Sequence, residues 1–112
     1  MDAMQAREVV LAVPGATEHD HFGRPAYRIT PARGKPSKIF MTLWPEDQRA
    51  VLMLSTEQQA ELHAENPHVF FPVPNKWGAK GATFVDLLQA SLAQFHKALS
   101  LAMANSGAKG TE

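Results

Sequence analysis

The chain has 112 residues, 45% of them hydrophobic and 20% charged, with 11 Lys plus Arg against 11 Asp plus Glu. This is one domain of ordinary globular composition, which excludes a disordered chain, a multidomain chain and a whole-molecule charge suited to polyanions. The absence of Cys excludes disulfides, thiolate nucleophiles and Cys-based zinc sites, and the short apolar runs and plain N-terminus lead us to expect a soluble, cytoplasmic protein.

The first element reads as a helix: Asp2 caps it with Gln5 reaching back, Ala6, Val9, Val10 and Val13 recur at helical spacing, and Pro14-Gly15 ends it. Short β-type runs follow, Ala26 to Thr30, Ser37 to Trp44 and Ala50 to Leu54, separated by the Pro31-to-Pro36 stretch and by Pro45-Glu46-Asp47-Gln48. Connections this short imply an antiparallel meander. Thr56, with Gln59 in the capping-box position, opens a second helix that Asn66-Pro67 stops. Val69 to Val73 and Ala82 to Leu87 read as a second strand pair around the turn Trp77 to Gly81. The first of these is an edge strand, because Pro72 and Pro74 cannot donate ladder bonds. Ser91 with Gln94 opens a last helix, with Leu92, Phe95, Leu99, Ala102 and Met103 as its buried stripe. The sum is a two-layer α+β fold, α-β(3)-α-β(2)-α, an antiparallel sheet with helices on one face. One domain covers residues 1–104, and a polar tail expected to be flexible covers 105–112.

Strand alternation assigns the faces. Ile39, Met41 and Leu43 share one face, and Lys38, Phe40, Thr42 and Trp44 the other; Tyr27 and Ile29 join the core, leaving Arg24, Ala26 and Arg28 outward. The expected open face mixes Arg24, Arg28 and Lys38 with Phe40 and Trp44, cations for phosphates beside rings for bases. The alternative is that the rings pack under the hairpin or into a dimer seam. Charge also clusters along the chain. Residues 21–45 hold Arg24, Arg28, Arg33, Lys35 and Lys38 without an acid, residues 67–85 hold only Lys76 and Lys80, and acids gather in 1–20 and 46–66. Convergence of the basic segments on one side and cancellation in space are both open from sequence.

Catalytic parts are sparse. Glu18-His19-Asp20-His21 offers ligand-type residues in an expected loop, but alternate residues point apart and no third His is placed, so a charged loop is favoured over a metal. His96 reads as a core or boundary residue on the apolar flank of the last helix, and His63 and His68 have no evident partner. Gly78-Ala79-Lys80-Gly81 lacks the P-loop spacing, and a hairpin turn accounts for its glycines. With no Gly-x-Ser-x-Gly elbow and no carboxylate pair, we expect no enzyme, no catalytic residues, no cofactor and no metal.

The ordered set Val13-Pro14-Gly15-Ala16-Thr17-Glu18, Phe22-Gly23-Arg24-Pro25-Ala26-Tyr27-Arg28-Ile29, Lys38-Ile39-Phe40, Phe70-Phe71-Pro72-Val73-Pro74 and Trp77-Gly78-Ala79-Lys80-Gly81-Ala82-Thr83 runs through about residues 3 to 104. It resembles the MmcQ/YjbR-like family of small bacterial proteins. The resemblance implies the two-layer fold, also described as CyaY-like or double-wing DNA-binding and related in shape to secretion chaperones. It also implies a DNA-binding label, without agreed catalytic residues. Two departures stand out: the longer Pro31 to Pro36 loop adds Arg33 and Lys35 to the basic edge, and Pro45-Glu46-Asp47 brings acids close to it.

The reading is a non-enzymatic binding protein that contacts nucleic acid through its hairpins. Arg24, Arg28, Arg33, Lys35, Lys38, Lys76 and Lys80 would meet phosphates, and Trp44 and Trp77 would stack. The alternative is a protein- or peptide-binding module, chaperone-like or a homodimer, using the open sheet face or the Pro72 edge. A third reading is a small-anion pocket near Arg24, Lys76 and Lys80.

Overall fold

The computed structural model describes residues 1–107. The elements are α1 (Ala3–Leu11), β1 (Ala16–His21), β2 (Arg24–Ile29), β3 (Met41–Trp44), β4 (Arg49–Met53), α2 (Thr56–Glu65), β5 (Phe70–Pro72), α3 (Lys76–Ala79), β6 (Ala82–Asp86) and α4 (Leu92–Asn105), with a 3-10 turn, Pro45–Asp47, between β3 and β4. The strands form one sheet in the order β1-β2-β3-β4-β6-β5, every pair antiparallel. The α+β class, the meander and the edge position of the Pro72 strand agree with the sequence. An additional strand and an additional helical turn do not. β1 occupies what reads as a charged loop: its side chains are exposed on both faces, so backbone pairing with β2 builds it without an apolar signal. α3 is one turn capped by Asn75, whose Oδ1 accepts from the N–H groups of Trp77 and Gly78.

Helix starts follow the capping-box chemistry, with one shift. Asp2 with Gln5 and Ser91 with Gln94 cap α1 and α4 as expected, whereas α2 is capped one residue early, by Ser55 with Gln58. Gln59 is instead buried, its Nε2 donating to the carbonyls of Gly78 and Ala82 and so tying α2 to the α3 turn. The core lies between the sheet and α1, α2 and α4, with Val10, Tyr27, Leu43, Leu52, Val85 and Phe95 among its fully buried side chains. Leu92 is 52% exposed rather than part of the buried stripe, and His96 is exposed rather than on an apolar flank.

The expected alternation fails at one point. Phe40 is 0% exposed and packs in the helix-side core, as Met41 beside it does, so two successive residues face inward. Ile39 is left facing the open side. The Phe40 N–H donates to Tyr27 O and its carbonyl accepts from Met53, so both neighbouring strands hold the slip in place. Phe40 is therefore removed from the open face. At the C-terminus α4 reaches Asn105, whose Nδ2 donates to Met53 O and Gln58 Oε1, and Ser106 O accepts the Lys38 N–H. The rest of the expected tail, residues 108–112, lies outside the described residues.

Candidate nucleic-acid interface and open-face cleft

Register decides where the charges go. The pairs Ala16–Ile29, Tyr27–Met41, Met53–Ala82 and Pro72–Thr83 put the end of β2, the start of β3, the end of β5 and the start of β6 at one end of the sheet. Both basic connections leave from that end: residues 30–40 with Arg33, Lys35 and Lys38, and residues 73–81 with Lys76 and Lys80, all five exposed. Arg28 adds to them one residue before β2 ends, its Nε donating to His19 Nε2 at 3.3 Å. Burial first, and then the Arg28 cation, hold the His19 pKa below its ordinary value, in keeping with a neutral, accepting ring. The two connections issue from β3 and β6, two strand spacings or roughly 10 Å apart. The carboxylates of Glu46, Asp47 and Asp86 sit at the opposite end, beyond Trp44 and beside Arg49. Glu57, in the first turn of α2, is an acid on the basic side.

Arg24 does not join the basic end. It begins β2 at the opposite end, pairs with Glu46 at 3.1 Å and lies 3.7 Å from the centroid of the Trp44 ring. Trp44 is half-buried, edge-on to Phe84 at 5.1 Å, its indole N–H donating to Thr42 Oγ1 at 3.3 Å. The ring face under Arg24 is thus already covered. Trp77 differs: it is 56% exposed on α3, with Lys80 Nζ 5.8 Å from its ring centroid. Two glycines make this placement work. A Cβ on Gly78 would sit 1.7 Å from Val73 O, and one on Gly81, where φ is +114°, 1.9 Å from Leu54 O.

The open face is apolar rather than basic. Val51, Val73, Ala82 and Phe84 form a second buried cluster there, with Trp44 and Phe71 against it. Above it lies a cleft of about 390 Å³ between the β1–β2 hairpin, which contributes Phe22 and Arg24, and α3, which contributes Trp77. Phe22 is 93% exposed and holds φ of +53° at the hairpin tip. His21 lines the cleft too, so the Glu18-to-His21 segment splits by face: Glu18 turns to Arg7 and Tyr27, and His19 and His21 turn to the open side. Among the described residues no group of three or more His, Asp or Glu is gathered as a metal site. Nor is any described helix long and apolar enough to cross a membrane.

The sequence profile of the family described as YjbR matches residues 11–99. The chain belongs to the YjbR family. Comparison with curated proteins and with solved structures finds no match to either. In this YjbR protein the matched span takes in both basic connections, the cleft and its floor. Several cleft and rim residues carry no signal in the YjbR sequence. Phe22 precedes the first expected strand, Val51 and Phe84 fall inside expected strands, and Arg49, which lies 5.1 Å from the Phe84 centroid and 5.4 Å from that of Phe71, is the one base of the acidic 46–66 segment. His63, without an evident partner in sequence, has Nδ1 2.8 Å from Phe70 O and joins α2 to β5.

Proposed function

We propose that this YjbR protein is a non-enzymatic binding protein that contacts nucleic acid through one end of its sheet. The observation that carries the reading is the shared end of the 30–40 and 73–81 connections, with Arg28, Arg33, Lys35, Lys38, Lys76 and Lys80 there and Glu46, Asp47 and Asp86 at the other end. A neutral chain with segregated charge offers a polyanion a cationic face while its acidic end points away. Trp77, exposed between Lys76 and Lys80, supplies a stacking surface, worth about 1–3 kcal/mol per base in single-strand binders. Arg24 and Trp44 stand outside the contact, because they lie at the opposite end of the sheet, beside Glu46. Backbone contacts of this kind carry no base specificity.

Fluorescence anisotropy with a labelled single strand and a labelled duplex, at low and at physiological salt and with an acidic-polymer competitor, tests the reading. Micromolar or tighter binding with a steep salt slope that survives the competitor is expected. No binding at low salt sinks it. Exposure of Phe22 and Trp77 on the open face favours the second reading, a protein or peptide partner on that face.

A further inference from the structure

We infer that the open-face cleft is a binding site for a small aromatic or branched-chain monocarboxylic acid, the apolar body seated on Val51, Ala82 and Trp44 and the carboxylate drawn to Arg24. This site shares Trp77 with the proposed nucleic-acid contact but none of its cations, and it does not depend on nucleic-acid binding. Three observations carry it.

The first is size and shape. About 390 Å³ lies within the range of small-ligand sites. The second is the lining. Its ionisable side chains are Arg24 and His21, with no carboxylate among the lining residues; the rest are mainly apolar, with Thr42 and Asn75 as further polar groups. An apolar wall with one permanent cation selects an apolar body carrying one negative charge. Glu46, exposed outside the lining, shares that cation, and an exposed pair of this kind holds its partner weakly.

The third is Arg24 itself. Its guanidinium is laid on the Trp44 ring at 3.7 Å, which fixes its plane, and its Nε–H is shielded from solvent with no acceptor among the described residues. A shielded donor without a partner is costly, and a carboxylate oxygen brought against the guanidinium offers the acceptor. Phe22 and Trp77 stand at the mouth, exposed and apolar, where an aromatic ligand would cover them.

The chain's two tryptophans both line the cleft, so their fluorescence reports occupancy directly. The probes are 4-phenylbutanoate and its neutral counterpart 4-phenylbutanamide, followed by tryptophan fluorescence and by calorimetry. The acid is expected to change the tryptophan emission saturably and to bind at least tenfold more tightly than the amide. Arg24→Gln should reduce that preference to less than threefold while leaving the weaker amide binding in place. Trp77→Ala, at an exposed position, should weaken both probes and serves if Arg24→Gln does not fold. Arg33→Glu with Lys35→Glu should leave both affinities unchanged. Equal binding of acid and amide, no binding of either at millimolar concentration, or an acid preference that survives Arg24→Gln would overturn the inference. So would concentration-dependent dimerisation that by itself shifts the emission, since a second copy would then fill the cleft.

Discussion

The Tyr27 hydroxyl donates to Glu18 Oε2 at 2.6 Å, between residues that face each other directly across β1 and β2. Arg7 reaches the same carboxylate from α1, through Nε at 2.7 Å and Nη2 at 3.1 Å. One carboxylate thus fastens the first helix to the first strand pair, and a buried phenol supports it from the core side.

The pH dependence of this junction has a definite sign. The hydrogen bonds from Arg7, with that from Tyr27 adding to them, hold the Glu18 carboxyl below its ordinary pKa. A depressed folded-state pKa gives stability that is present above the unfolded value, about 4.3 for Glu, and lost as pH falls through the folded one. Thermal melts between pH 6 and pH 3 should therefore show the wild type losing stability more steeply than Glu18→Gln. Tyr27→Phe at pH 7 should cost about 2 kcal/mol by urea unfolding, as for a hydrogen bond to a charged group. Burial, with the bond to Glu18 adding to it, raises the Tyr27 pKa, so loss on the alkaline side begins only above the ordinary tyrosine value, about pH 10.

Gly78 within α3 and Gly81 just after it give a second expectation. Because a Cβ would meet backbone carbonyls rather than flexible side chains, Gly78→Ala and Gly81→Ala should each destabilise by about 3 kcal/mol or more in urea. Ala79→Ser, exposed between them, should stay within about 0.5 kcal/mol. A small cost at Gly78 would mean that α3 does not rest on Val73.

Gln59 gives a third. Its amide is a buried donor to two carbonyls from different segments, so Gln59→Leu removes two hydrogen bonds, while Gly78 O keeps the Gly81 N–H and Ala82 O the Val73 N–H. The cost should be about 1–3 kcal/mol, from about 0.5–1.5 for each lost hydrogen bond. Tryptophan fluorescence should also change, since Trp77 rides on the same turn. Unchanged emission with unchanged stability would show that α3 is held elsewhere.

The Gln59 case shows how far the residues themselves could be read. Ser55-x-x-Gln58 and Thr56-x-x-Gln59 both satisfy the capping-box pattern, and only the tertiary demand of the Gly78 and Ala82 carbonyls decides between them. Local chemistry did decide where α1 and α4 begin and the apolar run of β4. β1 was illegible because an edge strand wet on both faces has no period to detect. Phe40 was misassigned because a one-residue slip reverses every face assignment N-terminal to it, which also hid Ile39 from the open side. For the candidate site, the basic residues were readable as segments but their common end was not. That end follows from the antiparallel register of β4 with β6, which leaves no mark on Arg33 or Lys80 themselves.

Charge reversal at the two ends should separate specific contact from general attraction. Each phosphate contact removed lowers the slope of log affinity against log salt by about 0.7 for a single strand and about 0.9 for a duplex. Lys35→Glu with Lys38→Glu should therefore flatten the slope by about 1.4–1.8 and weaken binding, while the melting temperature barely moves, because both side chains are exposed. Lys76→Glu with Lys80→Glu should do the same if both connections touch one strand, and the four changes together should abolish binding. Arg24→Gln is the counter-test: it lies at the Glu46 end, so its slope should match the wild type within error. If Arg24→Gln flattens the slope as much as the Lys35 and Lys38 pair does, the contact runs over the open face, and the basic end is only solvated charge.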